Sequence, residues 1–200
     1  CDTKESLPLD SGTEYTIEAA NELIDSNLQN QTYKVNFTGG DPLIQHRAVA
    51  ELAKHIQNKK IPTYLESSCF DIDRFNHVLP FIDIVKIEFK TKDSDFADTK
   101  HYEKLIGHTM KCLESSVKSK KITYIKIVVS SKTQLGEFKE LVDQIFNIIS
   151  KDNIDGFVIQ PTYGISEPSL DLLLNLYDIV FPHYIDVKVV PQLHKFIGAP

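Results

Sequence analysis

The chain has 200 residues, 42% of them hydrophobic, and a formal net charge of -6, which is enough for one full core and argues against a nucleic-acid surface as the main partner. No stretch approaches the roughly 20 apolar residues that span a bilayer, and the N-terminus lacks the regions of a signal peptide, so a cytoplasmic protein with a small-molecule target and no membrane partner is expected. Three cysteines, at positions 1, 69 and 112, are odd in number and widely spaced, as reduced thiols are and a disulfide framework is not.

In chain order the pattern alternates helix and strand. Residues 12–30 place Tyr15, Ile17, Ala19, Ala20, Leu23, Ile24 and Leu28 at helical spacing, with Thr16 or Ser11 as the cap. A strand over 33–37 breaks into Thr38-Gly39-Gly40-Asp41-Pro42 and opens a helix over 43–58. A strand over 61–65 ends at Glu66-Ser67-Ser68, and a short helix near 71–78 leads to a strand over 82–89 that ends at Lys90-Thr91-Lys92. After a long helix over 99–118, Ile122–Val129 is the most β-branched run in the chain and ends at Ser130-Ser131. A helix over 134–150, a strand over 156–159 ending at Gln160-Pro161-Thr162, a helix over 167–180 and a strand over 184–190 ending at Pro191-Gln192-Leu193-His194 complete the series. Apolar strands without a polar face, alternating with helices, predict a parallel sheet covered by helices in one domain over 1–200. Six strands, with one more expected upstream of Cys1, favour a partial TIM-like (β/α) barrel over a complete one.

The strand ends carry the chemistry. Each finishes in a polar or glycine cluster, and in parallel α/β folds the ligand sits outside the carboxyl ends of the strands. The two glycines permit positive φ and close approach of a ligand to bare amides. Asp41 then either catches a ligand's ammonium or hydroxyl, or caps the following helix with Pro42 in its first turn; the residues alone leave both readings open. His46, His55, His101 and His108 within helices and His77 in a loop read as surface residues. Lys118-Ser119-Lys120-Lys121 reads as a solvated helix end, and Asp93-Ser94-Asp95 lacks the glycine and glutamate of a calcium loop.

These residues carry a resemblance. Cys1-Asp2-Thr3 is similar to the end of the cysteine motif of radical S-adenosylmethionine enzymes, most like the 7-carboxy-7-deazaguanine synthase family of queuosine and archaeosine biosynthesis. Thr38-Gly39-Gly40-Asp41-Pro42-Leu43 resembles that superfamily's Gly-Gly-Glu motif, with Asp41 in place of Glu. Leu65-Glu66-Ser67-Ser68 resembles its Glu-Thr-Asn segment, and Ile87-Glu88-Phe89-Lys90 its Asp-x-Lys strand end. Gln160-Pro161 and Pro191-Gln192-Leu193-His194-Lys195 resemble its last two strand tips.

The resemblance implies a lyase that converts 6-carboxy-5,6,7,8-tetrahydropterin to 7-carboxy-7-deazaguanine. It would use a 4Fe-4S cluster, S-adenosylmethionine and Mg2+, with a flavodoxin or ferredoxin as electron donor and a homodimer as the assembly. Carried over by position, Cys1 would ligate the cluster and Thr3 the magnesium. Gly39, Gly40, Asp41, Glu66, Ser67, Lys90 and Ser130 would hold the cofactor, and Thr38, Gln160, Gln192, His194 and the terminal carboxylate of Pro200 the pterin. Three thiolates with one open iron position suit this chemistry. The family's two further cysteines are expected upstream of Cys1. Two alternatives stand: another radical S-adenosylmethionine enzyme, such as a glycyl-radical activase, or a non-catalytic α/β binding protein.

Overall fold

A computed structural model describes residues 12–94 and 99–193. Its helices and strands alternate as α1 (Ile17–Asn27), β1 (Val35–Phe37), α2 (His46–Asn58), β2 (Thr63–Ser67), α3 (Ile72–Val78), β3 (Ile84–Phe89), α4 (Thr99–Lys118), β4 (Ile122–Val129), α5 (Leu135–Ile148), β5 (Gly156–Pro161), α6 (Leu170–Val180) and β6 (Val187–Val189). The strands form one parallel sheet in the order β1-β2-β3-β4-β5-β6. Each strand pairs with the next in sequence, so the series never reverses, and right-handed crossovers put the helices on one face. β1 and β6 are the two edges, so among the described residues the sheet is an open, partial barrel.

The core lies between that face and the helices. Leu65, Val85, Ile87, Phe89, Ile125, Ile127, Val129, Phe157 and Ile159 alternate along β2–β5 and are fully buried, packed with Phe75, Leu113, Phe138, Val142 and Leu176 from the helices. The intervening positions point the other way, as the two-residue period of a strand requires. They are Tyr64 and Glu66 on β2, Lys86 and Glu88 on β3, Tyr124 and Lys126 on β4, and Gln160 on β5. The expectation of strands without a polar face is therefore corrected. Helices cover only one side of the sheet, and the inner side is lined by charged and aromatic groups.

Several boundaries also move. α1 begins at Ile17 because the Thr16 side chain accepts a hydrogen bond from Ala19 N at 3.2 Å and sets its start. The predicted helix over 43–58 divides into a 3-10 turn, Pro42–Gln45, and α2. β2 lies two residues later than expected, which places Glu66 and Ser67 inside a strand. β5 likewise runs through Gln160, and His77 belongs to the last turn of α3, not to a loop. Among the described residues no helix is long and apolar enough to cross a membrane.

Candidate functional site

Gly39 and Gly40 follow β1 with φ of 82° and 50°, a left-handed conformation that glycine adopts without cost. A Cβ added to either would meet nothing within 4 Å, so both glycines border open space. Asp41 closes the turn. Its Oδ1 accepts from Leu43 N at 3.0 Å and from the Ser67 hydroxyl at 2.8 Å, while its Oδ2 accepts from Ser68 N at 2.9 Å and the Ser68 hydroxyl at 2.6 Å. A carboxylate has about four acceptor positions, and all four of these bonds stay within the protein. Asp41 thus caps the 3-10 turn and ties the tip of β1 to that of β2. Ser67 is almost fully buried, and its hydroxyl also accepts from Cys69 N at 2.9 Å, so both of its side-chain contacts are to the protein.

Beside this turn the inner face carries a chain of alternating charges, Lys86–Glu66–Lys126–Glu88–Lys90. Lys126 Nζ donates to Glu66 Oε1 at 2.5 Å and contacts Glu88 Oε2; Glu88 Oε1 pairs with Lys90, and Lys86 reaches Glu66 Oε2 at a longer 3.5 Å. Side-chain exposure is 8% for Lys126 and 14% for Glu88, against 23% for Glu66, so the centre of the chain is its most enclosed part and Glu66 is its more open acceptor. Burial alone would push the Glu88 carboxyl up, but Lys90 and Lys126 outweigh it and hold it below its usual value. Burial likewise opposes the charge on Lys126, yet Glu88 and Glu66 raise its pKa above that of a free lysine. At Lys86 burial wins, helped by Lys126, and its pKa is lowered. Below the chain, the Tyr124 ring turns its Cδ1–Cε1 edge to Gly156, where an added Cβ would sit 2.7 and 2.9 Å from those two carbons.

The remaining tips are tied in pairs. The Ser130 hydroxyl donates to Asp93 Oδ2 at 2.6 Å, and Thr133 Oγ1 also donates to that carboxylate, which joins the loops after β3 and β4. Tyr163 N donates to Gln192 Oε1 at 3.2 Å, which joins those after β5 and β6. Among the predicted residues, the structure brings Glu66 and Lys90 into one charge chain and sets Thr38, Gly39 and Gly40 exposed at the neighbouring tip. Gln160 lies half-buried on β5. Cys1, Thr3, His194 and Pro200 lie outside the described residues. The sequence reading missed Lys126 and Lys86 as parts of this face. The signal was there, because Lys86-Ile87-Glu88-Phe89-Lys90 and Tyr124-Ile125-Lys126 alternate with period two.

Residues 1–105 match the family described as 4Fe-4S single cluster domain. The 7-carboxy-7-deazaguanine synthase of Archaeoglobus fulgidus is 30% identical over 173 residues, which cover 85% of this chain and 68% of that protein. The chain belongs to the radical S-adenosylmethionine family with a 4Fe-4S single cluster domain. Other relatives of this radical S-adenosylmethionine protein are the 7-carboxy-7-deazaguanine synthase of Methanocaldococcus jannaschii, 26% identical over 83% of this chain and 67% of that one, and a Clostridioides difficile 4-hydroxyphenylacetate decarboxylase activating enzyme, 26% identical over 76% and 49%. In fold it resembles a domain of the pyruvate-formate lyase-activating enzyme from Bacteroides vulgatus, with a TM-score of 0.63, 14% identity and coverage of 78% of this chain and 98% of that one. It also resembles a radical SAM methyltransferase from Sphaerobacter thermophilus, with a TM-score of 0.63, 12% identity and coverage of 87% and 55%.

The described residues of this radical S-adenosylmethionine protein fit the organic cofactor, because the Gly39–Gly40 backbone borders open space beside a charged inner face. They do not supply cluster ligands. Cys69 and Cys112 are fully buried in the core, and burial pushes the Cys69 thiol well up, away from the thiolate that binds iron. Among the described residues no three His, Cys, Asp or Glu side chains converge on a metal position.

Proposed function

We propose that this radical S-adenosylmethionine protein is a 7-carboxy-7-deazaguanine synthase, a lyase that contracts 6-carboxy-5,6,7,8-tetrahydropterin to 7-carboxy-7-deazaguanine in queuosine or archaeosine biosynthesis. The observation that carries the reading is the 30% identity to the Archaeoglobus fulgidus synthase across 85% of the chain. The inner face supports it: a set of fixed carboxylates and ammoniums beside a glycine turn suits a polar, planar substrate lying against a charged cofactor. A second reading, activation of a glycyl-radical protein, has support from the Clostridioides difficile relatives, which match over less of their own length.

When bound, the cluster and S-adenosylmethionine supply one-electron chemistry, with Cys1 as one cluster ligand, an electron donor such as flavodoxin or ferredoxin, and Mg2+ held by Thr3. The chain's own residues bind and orient. Gly39 and Gly40 let the methionine end of the cofactor lie against main-chain groups, and Asp41 keeps that turn in shape. Glu66 accepts from N–H or O–H donors, and Lys90 offers a cation to a carboxylate. Thr38, Gln160, Gln192, His194 and the Pro200 carboxylate bound the pterin's place, where an amide side chain can both donate and accept at a pterin edge. Tyr64 and Tyr124 line the inner face below and exclude water from the charge chain. The protein works as a cytoplasmic homodimer.

The test is anaerobic reconstitution of the full-length gene product, followed by incubation with S-adenosylmethionine, reductant, Mg2+ and 6-carboxy-5,6,7,8-tetrahydropterin. Mass-spectrometric appearance of 7-carboxy-7-deazaguanine is expected. Cluster-loaded protein that cleaves S-adenosylmethionine but makes no such product would overturn the reading.

A further inference from the structure

Lys126 is absent from every motif of the sequence and is the most enclosed charge of the inner face. Its ammonium bridges two strands: Glu66 comes from β2, Glu88 from β3, and Lys126 itself from β4. Register explains the bridge. Glu88 is the direct neighbour of Lys126 on the adjoining strand, whereas Glu66 pairs with Lys86 and must lean across β3 to reach Lys126. Without the ammonium, two carboxylates would face each other in a partly dry site, and each would turn towards water or take up a proton. With it, Glu66 has one oxygen fixed at 2.5 Å and the other engaged only by the long 3.5 Å contact to Lys86.

We infer that Lys126 is a positioning residue of the ligand-binding face, which holds Glu66 and Glu88 in place so that Glu66 presents its remaining oxygen to an N–H or O–H donor of bound S-adenosylmethionine. This deepens the proposed function and rests on its assignment of the cofactor to this face. A structural role alone would need the ammonium only as a link between strands, for which either carboxylate would serve. Two carboxylates on one cation, with the more exposed one left half-engaged, is the arrangement expected of an acceptor held for a ligand.

The test is a double-mutant cycle on the cluster-loaded full-length protein, with S-adenosylmethionine affinity measured by calorimetry. Lys126→Met is expected to weaken binding at least tenfold in the wild-type background and less than threefold in the Glu66→Gln background, because the lysine acts through that carboxylate. Equal losses in both backgrounds, or none in either, would overturn the inference. A second readout needs no cluster. The carboxyl carbon of Glu88, which faces Glu66, Lys86, Lys90 and Lys126, is expected to titrate at higher pH in Lys126→Met than in wild type, and Lys126→Arg is expected to restore the wild-type midpoint. An unmoved midpoint in the methionine variant would show that the bridge does not fix these carboxylates. Absence of the deazaguanine product from wild-type enzyme would sink the proposed reaction and leave both of these measurements standing.

Discussion

Asp41 and Ser68 are joined twice, because a single carboxylate oxygen of Asp41 accepts both the Ser68 amide at 2.9 Å and the Ser68 hydroxyl at 2.6 Å. With Leu43 N and Ser67 on the other oxygen, the side chain serves the fold before it serves a ligand. Asp41→Ala removes a cap and strands three further donors. It should lower unfolding free energy by about 2–4 kcal/mol, the sum expected for a lost cap and partly buried donors left unpaired. Chemical denaturation checks this, and a loss under about 0.5 kcal/mol, the lower end of cap effects, would return the side chain to the ligand.

Gly39→Ala separates the turn's shape from its openness. At φ 82° an L residue is strained by about 1–2 kcal/mol, while its Cβ would meet no protein atom within 4 Å. A modest drop in melting temperature with a large loss of S-adenosylmethionine affinity is therefore expected. Full affinity in the folded variant would remove the turn from the cofactor site.

The charge chain sets two pH limits. Glu88 has a lowered folded pKa, so its contribution is present above the unfolded carboxylate value and is lost as pH falls through the folded one. Lys126 has a raised folded pKa, so its contribution is full below the unfolded lysine value and is lost as pH rises through the folded one. Denaturation midpoints measured across pH should show a plateau between these limits, and Glu88→Gln should flatten the acid side. An acid limb with the same slope in that variant would place the titrating carboxylates elsewhere.

Gly156→Ala tests the wall beneath the chain. The new methyl would lie 2.7 and 2.9 Å from two ring carbons of Tyr124, closer than packed atoms come. Overpacking of this kind costs about 1–3 kcal/mol. In a Tyr124→Ala background most of that cost should vanish, and a thermal-melt cycle measures the difference; an undiminished cost would locate the strain in β5 itself.

The sequence by itself determined the alternation of helices and strands, their parallel order and the polar tips, because periods of two and 3.6 are local properties of a chain. Ile122–Val129 and Thr99–Lys118 lie where the residue pattern puts them. The Cys-Asp-Thr and Gly-Gly-Asp runs were equally legible, and with them the family. What the tertiary structure alone decided is which side chains meet. Asp41 reads from its neighbours as either a ligand group or a cap, and only the arrival of Ser67 and Ser68 at the end of the next strand fills the three acceptor positions that Leu43 N leaves. The alternation of Lys86, Glu88 and Lys126 with apolar residues is local, but which of these charges meet is set by strand register. Lys126 and Glu66 are 60 residues apart in sequence, and no local period reports that two crossovers bring them together across β3 on the face that the helices leave uncovered.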